Sequence, residues 1–184
     1  MRAKDAFVGS AHCILPDFCY NIPMERCLGF PPVAAEDSRL LILGSAPGVP
    51  SLRAGFYYAN PRNAFWRILA DTLGAPLPET VGEKQALLLQ NRLALWDVLR
   101  ACARRGSLDS AIREPEANDF AAFFAAHPRI ERVLFNGAAA RKLFYRFCAA
   151  SLQGRKTALL PSTSPAHTLP YPQKLEIWRK ELLR

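Results

Sequence analysis

Four short runs carry apolar residues at consecutive positions: LLIL at 40–43, LALW at 93–96, VLF at 133–135 and ALL at 158–160. Apolar on both parities and only three or four residues long, they read as strands covered on both faces, the pattern of a parallel sheet. Between them the period lengthens. Asn60-Pro61 supplies a cap and a proline for a first helical turn, after which Phe65, Ile68, Leu69 and Leu73 share one helical face that Gly74 closes. Helical spacing also covers 83–90, 118–126, 138–149 and 172–183, separated by loops bearing proline or glycine. Strands alternating with helices predict an α/β layer fold with a parallel sheet.

The chain has 184 residues, half of them hydrophobic, enough to bury one substantial core. Residues 24–184 are expected to form that single domain. Residues 1–23 carry no clear period and read as an N-terminal extension, with Met24 an alternative start. The longest small apolar stretch, FAAFFAA at 120–126, falls far short of the roughly 20 residues that cross a bilayer as a helix. The first 30 residues, interrupted by charges and by Pro16, Asp17 and Pro23, lack the apolar core of a secretory signal. The expected compartment is the cytoplasm. Five cysteines without a CxxC suggest reduced thiols, and Cys13, Cys19 and Cys27 beside His12 match no zinc spacing, so no metal is expected.

Charge is distributed unevenly. Residues 1–140 hold 15 basic and 14 acidic side chains, whereas residues 141–184 hold 9 and 2. A basic end suits a polyanion such as DNA, and equally a solvated helix face.

In an open parallel sheet, ligands bind at the carboxyl ends of the strands. The segments after positions 43, 96, 135 and 160 read GSAPG, DVLRACARRGS, NGAAA and PSTSPAH, and as loops they would converge on one crevice. Small residues there admit close approach of a ligand, while Ser45, Asp97, Asn136, Ser162 and Ser164 offer polar groups. GSAPG lacks the spacing and lysine of a P-loop, and GxGxxG is absent, which disfavours a nucleotide cofactor.

LLILGSAPG, YYANPRNAFW, LWDVL, VLFNG and LPSTSPAH, in this order, resemble the motifs of the uracil-DNA glycosylase superfamily. GFPPV at 29–33 and RxGSLDSxI at 104–112 bring the likeness closest to its hypoxanthine-DNA glycosylase branch, over about residues 25–184. The resemblance implies a three-layer α/β/α sandwich with a four-stranded parallel sheet, and DNA lying across the strand ends. It also implies base flipping, in which a damaged nucleotide rotates into a pocket and water attacks C1′. No metal or organic cofactor is implied, and the partner is DNA containing deaminated bases, with no obligatory protein partner and a monomer expected.

The same resemblance distributes roles. Gly44, Ser45, Ala46, Tyr58 and Asn136 fall where the base is held, Tyr58 as the stacking face with Tyr57 as its alternate. Ala46 stands where relatives with GQDPYH carry a catalytic Asp, and Ser162 where they carry a His. Asn63 of PRNAFW is then the catalytic candidate. Its amide cannot deprotonate water but can fix it while the bond breaks dissociatively. Read from residues alone, Asn63 could equally satisfy the start of a helix. Asp97 reads the base edge, positions water, or caps a turn; Asn136 supports the pocket or makes an Asn-Gly turn. Ser162, Thr163, Ser164 and His167 are the candidate DNA contacts. Asn60 stands where relatives often have His.

The expected function is a monofunctional DNA glycosylase removing hypoxanthine and also uracil, monofunctional because no lysine occupies a motif position. The alternatives are a catalytically inactive DNA- or nucleotide-binding module and an enzyme of free nucleosides.

Overall fold

The computed structural model describes residues 25–184, arranged as two sheets with flanking helices. In chain order the strands are β1 (Glu25–Leu28), β2 (Leu40–Gly44), β3 (Leu93–Asp97), β4 (Leu99–Arg104), β5 (Arg113–Ala117), β6 (Arg132–Asn136) and β7 (Lys156–Leu160). The α-helices are α1 (Val49–Ala54), α2 (Phe65–Leu73), α3 (Val81–Gln90), α4 (Phe120–Ala126), α5 (Ala138–Phe147) and α6 (Tyr171–Leu182).

The larger sheet has the order β3-β2-β6-β7 with every pair parallel, so the four apolar runs are its four strands. Its register aligns Leu43 with Trp96 and Phe135. Trp96 meets Phe120 of α4 at 5.0 Å between ring centroids, and Phe135 meets Phe144 of α5 at 5.4 Å, which puts both helices on one face. Ile42, Leu95 and Leu134 point the other way and are also fully buried. Helices therefore cover both faces, as a parallel sheet requires. α2 packs on α6 through Phe65 and Trp178, whose rings cross nearly at right angles. The edge strand β7 departs from the expected double burial: Lys156, Thr157 and Leu159 are exposed and only Leu160 is buried.

The segment DVLRACARRGS corrects a reading. Most of it is not a loop but strand β4, which starts one residue after β3 ends and pairs antiparallel with β1 and β5 in the order β1-β4-β5. Its buried side chains are Leu99, Ala101, Cys102, Ala103 and Arg104, with no β-branched residue and little apolar weight to announce a strand. The pairing with distant β1 makes it one.

The start of α2 is a second correction. Its first residue is Phe65, and Pro61 lies outside the helix. Asn60 Oδ1 accepts from the Arg62 amide at 3.0 Å, and Asn63 Oδ1 accepts from the Phe65 amide at 3.0 Å. Two successive asparagine turns thus hold residues 60–64, because short amide side chains compete with helical backbone bonds. Gly74 ends α2 as expected. α4 likewise begins later than predicted: Asp119 caps it by accepting from the Ala122 amide, while Asn118 bonds back to the end of β3.

Candidate active site

The chain runs from β2 to β3 on one side of the sheet and reaches β6 on the other side of β2. This order makes a switch point between β2 and β6, where the loops leaving two adjacent strands part and leave a crevice. A cavity of about 230 Å³ lies there, lined by the loop after β2, the turn around Tyr58 and the segment 162–166.

Gly44 is the tightest point. A methyl group on its Cα would meet the carboxyl of Asp97 and come within 2.7 Å of the Tyr58 hydroxyl. Glycine is required here because the protein's own side chains occupy that space. Tyr58 sits at φ 51°, with its ring stacked on Phe65 at 4.0 Å between centroids. Its hydroxyl and Oδ2 of Asp97 are buried with no hydrogen-bond partner among the described residues. Burial and the neighbouring Asp97 push the Tyr58 phenol well above its ordinary range. Tyr57 also reaches the cavity wall but belongs to the core, its hydroxyl donating to the carbonyl of Pro31 at 3.0 Å.

Asp97 is 3% exposed at the end of β3. Burial, then the charge of Asp109, raise its pKa to about 7 against the opposing pull of Arg104. Arg104, itself buried, donates to the carbonyl of Pro47 and lies 3.8 Å from Asp109. Asp109 accepts from Ser45 Oγ at 2.5 Å, and Ser107 accepts from the Val49 amide at 2.9 Å. Residues 104–109 thereby clamp the GSAPG loop, and Ser107, Leu108 and Asp109 complete the cavity wall. Sequence reasoning gave these residues no role of their own. The signal available was the motif RxGSLDSxI, whose serine and acid sit just past a strand too alanine-rich to recognise.

Asn136, at the end of β6, uses its amide on the opposite loop: Nδ2 donates to Thr163 Oγ1 and Oδ1 accepts from the Thr163 amide, both at 2.9 Å. The next residue, Gly137, has φ 96° and packs against Ser162. Together they fasten the 161–167 segment to the sheet.

Of the sequence-predicted site residues, Gly44, Ser45, Ala46, Tyr58, Asn63, Asp97, Asn136, Ser162, Thr163 and Ser164 all line this one cavity. His167 does not; its side chain is exposed beside the cavity and its carbonyl accepts from Lys174 Nζ at 3.3 Å. Asn63 also borders a second hollow, of about 660 Å³, which carries Arg62, Arg67, Lys84 and Lys174. Asn63 thus stands on the ridge between the chamber at the strand tips and a groove carrying basic side chains. No group of three His, Cys, Asp or Glu side chains among the described residues is placed to share a metal ion. Cys13, Cys19 and His12 lie outside the described residues.

Comparison with known proteins places these features in a family. The model of the "Uracil DNA glycosylase superfamily" matches residues 31–183. A protein of Methanosarcina acetivorans named "Hypoxanthine DNA glycosylase" is 40% identical over 140 residues, spanning 76% of this chain and 87% of that protein. A protein of the same name from Methanosarcina barkeri is 41% identical over 111 residues, 59% of this chain and 70% of that one. A solution NMR structure from M. acetivorans, provisionally named a uracil DNA glycosylase, superposes with a TM-score of 0.75 at 34% identity, covering 87% of this chain and all of that one.

Proposed function

The chain belongs to the uracil DNA glycosylase superfamily, and from that premise we propose that it is a monofunctional glycosylase excising hypoxanthine, and also uracil, from DNA. The observation that carries this reading is the gathering of Tyr58, Asn63 and Asp97 around one chamber at the strand tips, beside a groove lined with basic side chains. The two relatives named for hypoxanthine favour that base as the first substrate.

In this reading the nucleotide leaves the duplex and its base enters the chamber, where the Tyr58 ring, backed by Phe65, is the stacking face. Stacking of this kind is worth about 1–3 kcal/mol and tolerates any base. Identification falls to the polar wall. Asn63 spends one lone pair of Oδ1 on the Phe65 amide and keeps another lone pair and its NH₂ for a water at the mouth of the chamber. A water held this way attacks C1′ as the glycosidic bond opens, and position substitutes for basicity. Asn136 supports the pocket through Thr163. The segment 162–164 offers hydroxyl groups and amides to phosphates flanking the extruded nucleotide.

The test uses duplexes containing a single deoxyinosine or deoxyuridine, with alkaline cleavage of abasic products. Wild-type protein is expected to release both bases, and Asn63→Ala to be slower by about 100-fold or more while still folded, its stability lowered only by the lost bond to the Phe65 amide, about 0.5–2 kcal/mol. Failure at both bases overturns the reading in favour of an inactive binding module. Full activity in Asn63→Ala moves the catalytic role elsewhere.

A further inference from the structure

Asp97 is placed badly for an anion. Its carboxyl makes no hydrogen bond among the described residues, and Oδ2 is walled off from solvent entirely. Oδ1, pressed on Gly44, is the oxygen that reaches the chamber. The cation in its neighbourhood, Arg104 of β4, donates to Pro47 and faces Asp109; its buried Nε has no hydrogen-bond partner among the described residues, and none of its nitrogens bonds Asp97. No other titratable group acting on Asp97 favours its ionisation. Asp109 adds a like charge from the 3₁₀ turn at 109–111, while the phenols of Tyr57 and Tyr58, held neutral by burial and by Asp97, bring no compensating positive charge. An isolated carboxylate in such surroundings neutralises itself by holding a proton.

The position of that proton also follows from the walls. On Oδ2 it would be a buried donor with no acceptor, whereas on Oδ1 it faces the chamber and leaves only an unfilled acceptor behind, the lesser cost. We propose that Asp97 is a neutral carboxylic acid that donates a hydrogen bond through Oδ1 to a carbonyl oxygen of the extruded base. The proposal rests on the glycosylase reading and gives the base-reading residue a sign.

Its consequence is a choice of substrate class. Deamination converts an amino group to a carbonyl, so hypoxanthine and uracil present an acceptor where adenine and cytosine present an amino donor. A fixed donor accepts the first pair and meets the second with two opposed donors, at the cost of a buried unsatisfied group. Guanine carries the same carbonyl, so its rejection falls to the cost of unpairing it. The same hydrogen bond serves the reaction. As the C1′–N bond breaks, its electron pair leaves on the base, and a donor at the base edge stabilises the negative charge that spreads there. Water forms the new C1′–O bond and gives up one proton, the base takes up one proton, and Asp97 ends as it began.

Single-turnover release of hypoxanthine, followed from pH 5.5 to 9, tests this. The wild-type rate is expected to fall as pH rises through about 7, the region where Asp97 ionises. Asp97→Asn, which keeps a donor at every pH, is expected to be slower at pH 6 but to lose that alkaline fall. A parallel carboxyl ¹³C NMR titration, wild type against Asp97→Asn, is expected to show the Asp97 signal protonated at pH 5.5. A wild-type rate that rises through pH 7 would make the carboxylate the active form and overturn the proposal. So would an alkaline fall retained in Asp97→Asn, or an Asp97 signal ionised throughout. Wild-type protein that releases no base at any pH overturns the glycosylase reading, and the proposal with it, whatever the NMR signal does.

Discussion

At the scale of single residues, Gly44 is the position on which the chamber closes. The sequence offered GSAPG as a loop whose small residues admit a ligand, yet the atoms that come closest to Gly44 belong to Asp97 and Tyr58. Composition reveals a need for smallness without revealing what fills the space. Gly44→Ala is expected to displace the Asp97 carboxyl and the Tyr58 ring together, costing about 1–3 kcal/mol as an overpacked core site does. Because both displaced groups face the base, activity should drop more than tenfold at temperatures where circular dichroism still reports a folded protein. A variant with lower melting temperature but wild-type turnover would show that the contact is structural only.

At the scale of elements, legibility followed how far each element depends on its own sequence. β2, β3 and β6 are buried at nearly every position, so their apolar runs announce them. β4 is defined by β1 and β5, which lie far away in sequence, and no local pattern carries that information. The link between β6 and the 161–167 segment was half legible: Asn136 and Thr163 were both candidate site residues, but not each other's partner. Their two hydrogen bonds set where that segment rests relative to the chamber. Thr163→Val removes the hydroxyl, leaves the buried Asn136 Nδ2 without its acceptor, and is expected to cost about 1–3 kcal/mol in thermal unfolding. It should raise KM more than it lowers kcat, since the loop moves while Asn63 and Asp97 remain. Thr163→Ser, which restores the acceptor, should recover most of the loss. A serine variant as impaired as the valine variant would overturn the assignment of the effect to the hydroxyl acceptor.

At the scale of the whole molecule, the basic excess of residues 141–184 was legible as a number but not as a set of roles. Three of its nine cations serve the fold. Arg155 serves the carbonyls of Ile130 and Leu152 and covers Phe124, Arg179 serves Asp71, and Lys174 is buried beneath His167. The groove next to the chamber draws on Arg62, Arg67 and Lys84 from the middle of the chain, with Lys174 alone from the C-terminal region. Arg67 lies over the Tyr171 ring and near Asp71, and Lys84 donates to the carbonyl of Glu79, whereas the exposed Arg62 side chain has no such engagement among the described residues. A backbone phosphate crossing the groove would release about one counterion through that guanidinium. Arg62→Ala is therefore expected to weaken binding to undamaged and inosine-containing duplexes by similar factors, and to reduce the slope of log K against log salt by about one. Arg146→Ala, which removes a cation stacked on Phe147 and outside the groove lining, should leave that slope unchanged. If the slope instead responds to Arg146 and ignores Arg62, the duplex lies on the α5 face, away from the groove beside Asn63.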